Sequence, residues 1–342
     1  MKPTWQGYRH SPCGLLGALA LVMGCGQSSP GSSRVGQQPG PAHKAPPGSV
    51  FSLANLDLKA VWGTGPTDVW AVGAAGAIVH YDGHAWAPST SGITENLTGV
   101  AGTSSTSAWI TSDQGTVLQW DGHKWSIASQ VADTELLALW AGDPANVWAV
   151  GVDLSGGGSG YLRQGHFDEV SATWTWQDTD VTITTSLWQA WGSGPNDIWL
   201  VGDGIDGSGV AIRGDGSTAN PFDLAGYSGP PLRGVWGTGP NDVWLEPYQG
   251  PMSHWDGTSW TPVSTTEPGA SLLGIGGSGT DIWAVGLAGV VLHYVDGAWV
   301  ASPVSTTSAL WSVWASGPSD VWVVGGAGAL LHWNGLAWAK AQ

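Results

Sequence analysis

A repeated phrase constrains this chain more than any other feature. "WGTGPTDVWAVG" at 62–73 returns as "WGSGPNDIWLVG" at 191–202 and "WGTGPNDVWLEP" at 236–247. Its last tryptophan can be followed along the sequence as Trp70, Trp109, Trp148, Trp199, Trp244, Trp283 and Trp322, with gaps of 39, 39, 51, 45, 39 and 39 residues. Seven copies of a unit of about forty residues match a β-propeller with four strands per blade. One such unit cannot bury its apolar residues alone, so the blades must stack on one another.

Within the first unit, LKAVWG (58–63), DVWAVG (68–73), AIVHYDG (77–83) and AWAPS (85–89) read as four strands from the axis outward. The second is apolar on both faces, as a strand covered on both sides must be. Gly65-Pro66 marks the first turn, and Asp82-Gly83 predicts a two-residue hairpin between the outer strands. Helical periodicity is absent. The expected fold is therefore all-β: a seven-bladed propeller of four antiparallel strands per blade, one domain over 50–342. The last blade either ends on its own strand at 337–342 or gains an outer strand from SVFSL (49–53).

Later in the units, Asp82, Asp121, Asp256, Asp296 and Asn334 precede glycine, with tryptophan soon after. This turn resembles a shortened Asp-box of sialidase-type (BNR) propellers. The whole unit resembles the Trp- and Gly-rich repeats of secreted bacterial propellers of the kelch and lectin kinds. The resemblance spans 50–342 and implies architecture, since Asp-boxes are structural turns in enzymes and non-enzymes alike.

Ahead of the repeats the composition changes. Lys2 and Arg9 precede the short apolar stretch GLLGALALVMG (14–24), which reads as a signal peptide over 1–24. Val22-Met23-Gly24-Cys25 resembles the lipobox of bacterial lipoproteins. That resemblance implies cleavage before Cys25, lipidation of its sulfur and, with Gly26 following, the outer membrane or cell surface. Residues 25–49, rich in Gly, Pro, Ser and Gln, read as a flexible tether. Both cysteines lie in the first 25 residues, so no disulfide is expected in the propeller.

Charge narrows the partners. Six lysines and arginines stand against all 26 acidic residues after Leu56. Such a surface repels phosphate backbones, which argues against nucleic acid, and it offers few cations to an acidic ligand. No cofactor or metal is expected. His80, His254, His293 and His332 fall one per blade, too far apart to share an ion, and read as half-buried residues bonding the neighbouring blade. The aspartates of the phrase (Asp68, Asp197, Asp242, Asp281, Asp320) read as turn caps. Asp203, Asp206 and Asp215 leave a calcium site open, with Gly-Asp turns the simpler reading.

Two function classes compete. By resemblance to sialidases, a glycan-cleaving hydrolase would gather Arg163, Arg213 and Arg233 with Tyr248 and Glu246. A binding module would instead write specificity where the repeat breaks. Just after the leucine that opens each inner strand the residue varies freely: Lys59, Thr98, Leu137, Trp188, Arg233, Leu273 and Trp311. The connections between the second and third strands are also elaborated in units three to five, as GVDLSGGGSG, GDGIDGSG and LEPYQGP. Trp188, Trp311, Arg233, Tyr248, Asp203 and Lys59 are the candidate ligand-binding residues, an aromatic platform with polar contacts for a neutral glycan or a protein. A structural envelope protein without a small ligand is the third alternative.

Overall fold

A computed structural model describes residues 52–341 apart from 156–157, 182–183 and 216–222. The expected signal peptide, the tether and Cys25 lie outside the described residues. Seven four-stranded antiparallel sheets follow in chain order, at 58–90, 97–130, 134–181, 184–224, 232–263, 272–301 and 310–340. Each takes four consecutive strands from the axis outward. No helix among the described residues is long and apolar enough to cross a membrane.

The second strands are the densest part of the core. Val69, Trp70, Ala71 and Val72 are all at most 3% exposed. Blade faces supply their cover: Trp70 and Val72 pack with Leu97 and Ile110 of the next blade. The ring closes in the same way, with Trp322 and Val324 of blade 7 against Leu58, Val61 and Val69 of blade 1.

Closure needs no borrowed strand. The outer strand of blade 7 is Trp338–Lys340, from its own end of the chain. Of the segment 49–53, Ser52 and Leu53 are described, and neither is in a strand. Leu53 opens a single 3-10 turn and is buried between blades 7 and 1. The Gly328 amide donates to the Leu56 carbonyl. A Cβ on Gly328 would meet the Ala54 carbonyl at 2.3 Å, much as one on Gly76 would meet the Ile93 carbonyl at 2.1 Å. The lead-in thus takes the place that the blade-to-blade connection occupies elsewhere. Burying Leu53 outweighs adding an edge strand.

The Trp-Gly pair of the phrase is a contact between blades. A Cβ on Gly102 would stand 2.5 Å from the Trp62 ring, on Gly192 2.6 Å from Trp140, on Gly237 2.8 Å from Trp191 and on Gly63 2.8 Å from Trp314. Each tryptophan therefore lies over the glycine of the following blade. Trp236 and Gly277 hold the same two places in blades 5 and 6. Two blades lack the tryptophan, carrying Ala101 and Gly276 instead, and the blades after them carry Ala141 and Ala315 at the receiving place. The glycine leaves room for the indole and for a backbone carbonyl of its own blade, which a Cβ on Gly237 would meet at 2.4 Å, at Asp242.

At the turn end the phrase aspartate bonds side chains. Asp68 accepts from the Thr64 hydroxyl at 2.5 Å and contacts His80 Nε2 at 2.6 Å. His80 stacks on Trp70 at 4.1 Å. His254, His293 and His332 repeat this with Asp242, Asp281 and Asp320. The histidines therefore bond their own blade, not the neighbouring one, because the marker tryptophan and the histidine are cross-strand partners. The outer hairpin also differs from expectation in blade 1. Its strands end at Tyr81 and resume at Trp86, leaving a four-residue turn. The Asp82 carboxylate accepts the amides of His84 and Ala85, each at 2.9 Å, and those two bonds hold its pKa below the ordinary aspartate range. The two-residue Asp-Gly turn occurs in blade 6, between Val295 and Ala298.

Candidate functional site

All seven inner strands carry a β-bulge near their start. In blade 1 Leu58 pairs with Gly73 and Ala60 with Val72, leaving Lys59 without a cross-strand partner. The same irregularity leaves out Thr98, Leu137, Trp188, Arg233, Leu273 and Trp311. A bulge turns its extra residue out of the alternation that fixes its neighbours. The leucine before each bulge is at most 2% exposed, in Leu58, Leu97, Leu136, Leu187, Leu232, Leu272 and Leu310. The seven bulge residues are half-buried and line one axial cavity of about 220 Å³. They ring its mouth, at the end that carries the connections between second and third strands. Trp236 and Trp314 line the cavity further along the axis.

Two tryptophan–cation stacks stand at this mouth, each built between consecutive blades. The Arg233 guanidinium lies 4.3 Å from the centre of the Trp188 ring, and Lys59 Nζ lies 4.1 Å from that of Trp311. Both cations are neutralised: Arg233 by Asp203 at 2.5 Å and Lys59 by Asp57 at 3.2 Å. The Arg233 stack is the more elaborate. Tyr248 adds a second ring 5.2 Å from the guanidinium. Asp203 also accepts from the Trp188 indole N–H at 2.9 Å and from the Ser186 hydroxyl at 3.1 Å. Five candidate residues from the sequence therefore meet in two clusters, and Tyr248 joins the one around Arg233.

Electrostatics at the mouth are acidic on balance. Lys59 and Arg233 are already paired. At the same end of blades 2 to 4 stand Asp113, Asp133 and Asp206 in loops and Glu135 and Asp153 at strand ends. Burial raises the Glu135 pKa, and the charge of Asp113 raises it further. Exposed Leu154 and Ile205 stand in the connections of blades 3 and 4, 57% and 71% accessible.

Other expected groupings do not assemble. Arg163 is buried between blades 2 and 3, donating to Ser129 at 2.9 Å and to Asp178 at 2.5 Å. Arg213 occupies the histidine place of blade 4: it donates to Asp197 at 2.5 Å, and its guanidinium lies 4.9 Å from the Trp199 ring. Only Arg233 reaches the axial cavity. The three arginines of the hydrolase reading thus sit in three separate places, because two of them hold blades together. Asp203 and Asp206 stand at the mouth end of blade 4, whereas Asp215 follows the third strand at the turn end. They do not converge on an ion, and among the described residues no three His, Cys, Asp or Glu side chains do.

Glu246 belongs, with Tyr248, to the set that a hydrolase would gather. It is fully buried, and neither carboxylate oxygen has a side-chain hydrogen-bond partner. Burial pushes its pKa well above the ordinary glutamate range; the Gly274 amide and the Arg233 charge pull the other way. The sequence signal was present: Val72, Val150, Val201, Val285 and Val324 hold the corresponding place in five blades and Thr111 in a sixth.

No family model matches the chain. No curated protein matches it either. Several solved structures do. YCF48 from Cyanidioschyzon merolae superposes with a TM-score of 0.64 at 15% identity, covering 82% of this chain and 96% of that one. A structure described as YCF48 bound to D1 peptide gives 0.63 at 18% identity, over 82% and 94%. The WD40 β-propeller domain of Doa1 gives 0.62 at 13%, over 84% and 94%. At such identities the likeness establishes the fold alone: a seven-bladed β-propeller.

Proposed function

We propose that this protein is an exported binding module, anchored through lipidated Cys25, that holds a segment of a protein partner at the channel mouth. One observation carries the reading. Two cations, two tryptophans, two leucines and a threonine occupy the same bulge in an otherwise repeated frame, and all seven surround one cavity. Variation confined to a converging position is how a repeat protein encodes specificity. A peptide-bound structure among the similar propellers supports a polypeptide ligand. So do the exposed Leu154 and Ile205 beside the mouth. Paired cations and surrounding acids disfavour an anionic partner. The rings of Trp188, Trp311 and Tyr248 also suit a neutral sugar, which is the second reading.

Peptide and glycan arrays probed with residues 50–342 separate the two. A peptide hit that weakens at least about tenfold in Trp188→Ala/Trp311→Ala, equivalent to about 1.4 kcal/mol, is the expected result. Hits on glycans alone favour the second reading, and binding unchanged in the double variant moves the site elsewhere. Membrane fractionation of Cys25→Ala full chain tests the anchor: the variant should appear in the soluble fraction.

A further inference from the structure

Glu246 breaks the rule that its six counterparts follow. Its place lies in the core between blades 5 and 6, and the residue opposite, Gly234, has no side chain. A Cβ there would stand 2.3 Å from Glu246 Oε2 and 2.8 Å from the Ile275 side chain. The carboxyl thus fills the space that a side chain at position 234 would take. It sits behind the cavity wall formed by Gly274 and Ile275. A buried acid with no side-chain partner is costly, and valine stands at this place in five blades. A structural role alone does not account for it.

Its surroundings point to a partner. Arg233 immediately precedes Gly234, the cross-strand partner of Glu246, so its guanidinium starts one residue from the acid. The facing inner strand of blade 6 presents Gly274 and Ile275, which carry no charge. Just past the end of its own strand Tyr248 lies two residues on, against Arg233. Beyond Arg233 stands Asp203 of blade 4, bonded to a single guanidinium nitrogen, Nη1. Arg233 therefore pairs with a carboxylate at the mouth while a buried acid stands in the wall, across from the residue next to it in sequence.

We infer that Glu246 is a second counter-ion for Arg233, taken up when a donor group of the ligand engages Asp203. The exchange balances. Arg233 leaves the Asp203 carboxylate for the Glu246 carboxyl, Glu246 releases its proton to solvent, and an N–H or O–H of the ligand takes Asp203. The ligand group this selects is a hydrogen-bond donor, such as an ammonium, amide or hydroxyl. Glu246 is then a positioning residue that never touches the ligand. The inference rests on reading the mouth as a binding site, but its test needs no ligand.

The experiment is an infrared pH titration of the propeller, residues 50–342, in which the carbonyl stretch of a protonated acid is assigned by its loss in Glu246→Gln. Wild type should keep that band at neutral pH. In Asp203→Asn, which retains the shape but releases Arg233, the midpoint should fall by at least about one pH unit, a tenfold drop in the protonated fraction above it. A crystal structure of that variant should place the Arg233 guanidinium on Glu246. Arg233→Gln, which leaves Asp203 in place, should move the midpoint upward. The inference is overturned if wild type has no protonated Glu246 at neutral pH. It is equally overturned if Asp203→Asn leaves the midpoint unmoved, if it falls as far with Arg233→Gln added, or if Arg233 stays off Glu246 in the crystal. Failure of the binding reading would look different: no array hit sensitive to Trp188 and Trp311, whatever Glu246 does.

Discussion

At the turn end of the propeller, two positions on neighbouring strands change together. Aspartate faces histidine or arginine, as in Asp68 with His80 and Asp197 with Arg213. Where Ser107 or Asn146 replaces the aspartate, the cross-strand partner of the marker tryptophan is Gln119 or Gln164. At the mouth end the bulge residue changes from lysine to leucine to tryptophan while its flanking leucine stays fixed. The difference follows from pairing. A turn-end aspartate bonds a side chain of the next strand within its own blade, so each change demands another. A bulge residue has no cross-strand register partner, and its side-chain partners, such as Asp203 for Arg233 and Asp57 for Lys59, differ from blade to blade, so its chemistry can be rewritten without touching the blade. Fold is secured at one end and specificity is free to vary at the other.

Breaking a turn-end pair should therefore produce a large loss of stability. Asp281 accepts from the Trp283 indole at 2.8 Å and contacts His293 at 2.7 Å. Asp281→Ala leaves both groups unpaired in a half-buried place and should cost about 3 kcal/mol by urea denaturation, about 1–3 for each lost partner. Blades 2 and 3 supply a sharper test. Asp281→Asn combined with His293→Gln copies blade 3 and should recover part of the loss seen in Asp281→Asn alone. No recovery would mean that the two positions are not coupled.

The seam between blades comes next. Gly102→Ala forces a methyl towards the Trp62 ring and should cost about 1–3 kcal/mol, the range for overpacking. Ala101 and Ala141, already adjacent at the next seam, show the arrangement that tolerates alanine. Trp62→Ala should therefore relieve part of the Gly102→Ala loss, the Ser107 carbonyl at 2.7 Å remaining, and a double-mutant cycle should give a loss smaller than the sum. Strict additivity would count against the contact.

Much of this was legible in sequence because the chain is its own alignment. Seven copies separate fixed positions from free ones, so the blades, the marker tryptophans and the variable residue after each opening leucine could all be found by counting. Pairing could not. His80 and Asp68 are twelve residues apart, and nothing in their spacing says whether the histidine turns to its own blade or the next. The bulge itself was equally hidden: the sequence shows that position 59 varies, but only the register shows that it is unpaired. Arg213 was misleading for a similar reason, since a cation in a histidine's place looks like chemistry until its aspartate is seen. Glu246 was readable as a departure from valine, yet its burial depends on the empty side of Gly234.

The smallest effects should come from the mouth. Leu137 and Leu273 are half-buried bulge residues of the cavity wall, next to leucines that are buried in the blade core. Truncating Leu137 or Leu273 to alanine removes contacts with the cavity but disturbs no ladder bond and opens no closed core. Each should change stability by no more than about 0.5–1 kcal/mol, as expected away from packed cores and buried networks. The neighbouring Leu136→Ala, at a fully buried position, should cost about 2–5 kcal/mol. Denaturation of this adjacent pair is the most direct measure of how sharply the bulge divides scaffold from site. Similar losses at 136 and 137 would show that the mouth is held by the same packing as the core, and that its residues are not free to vary.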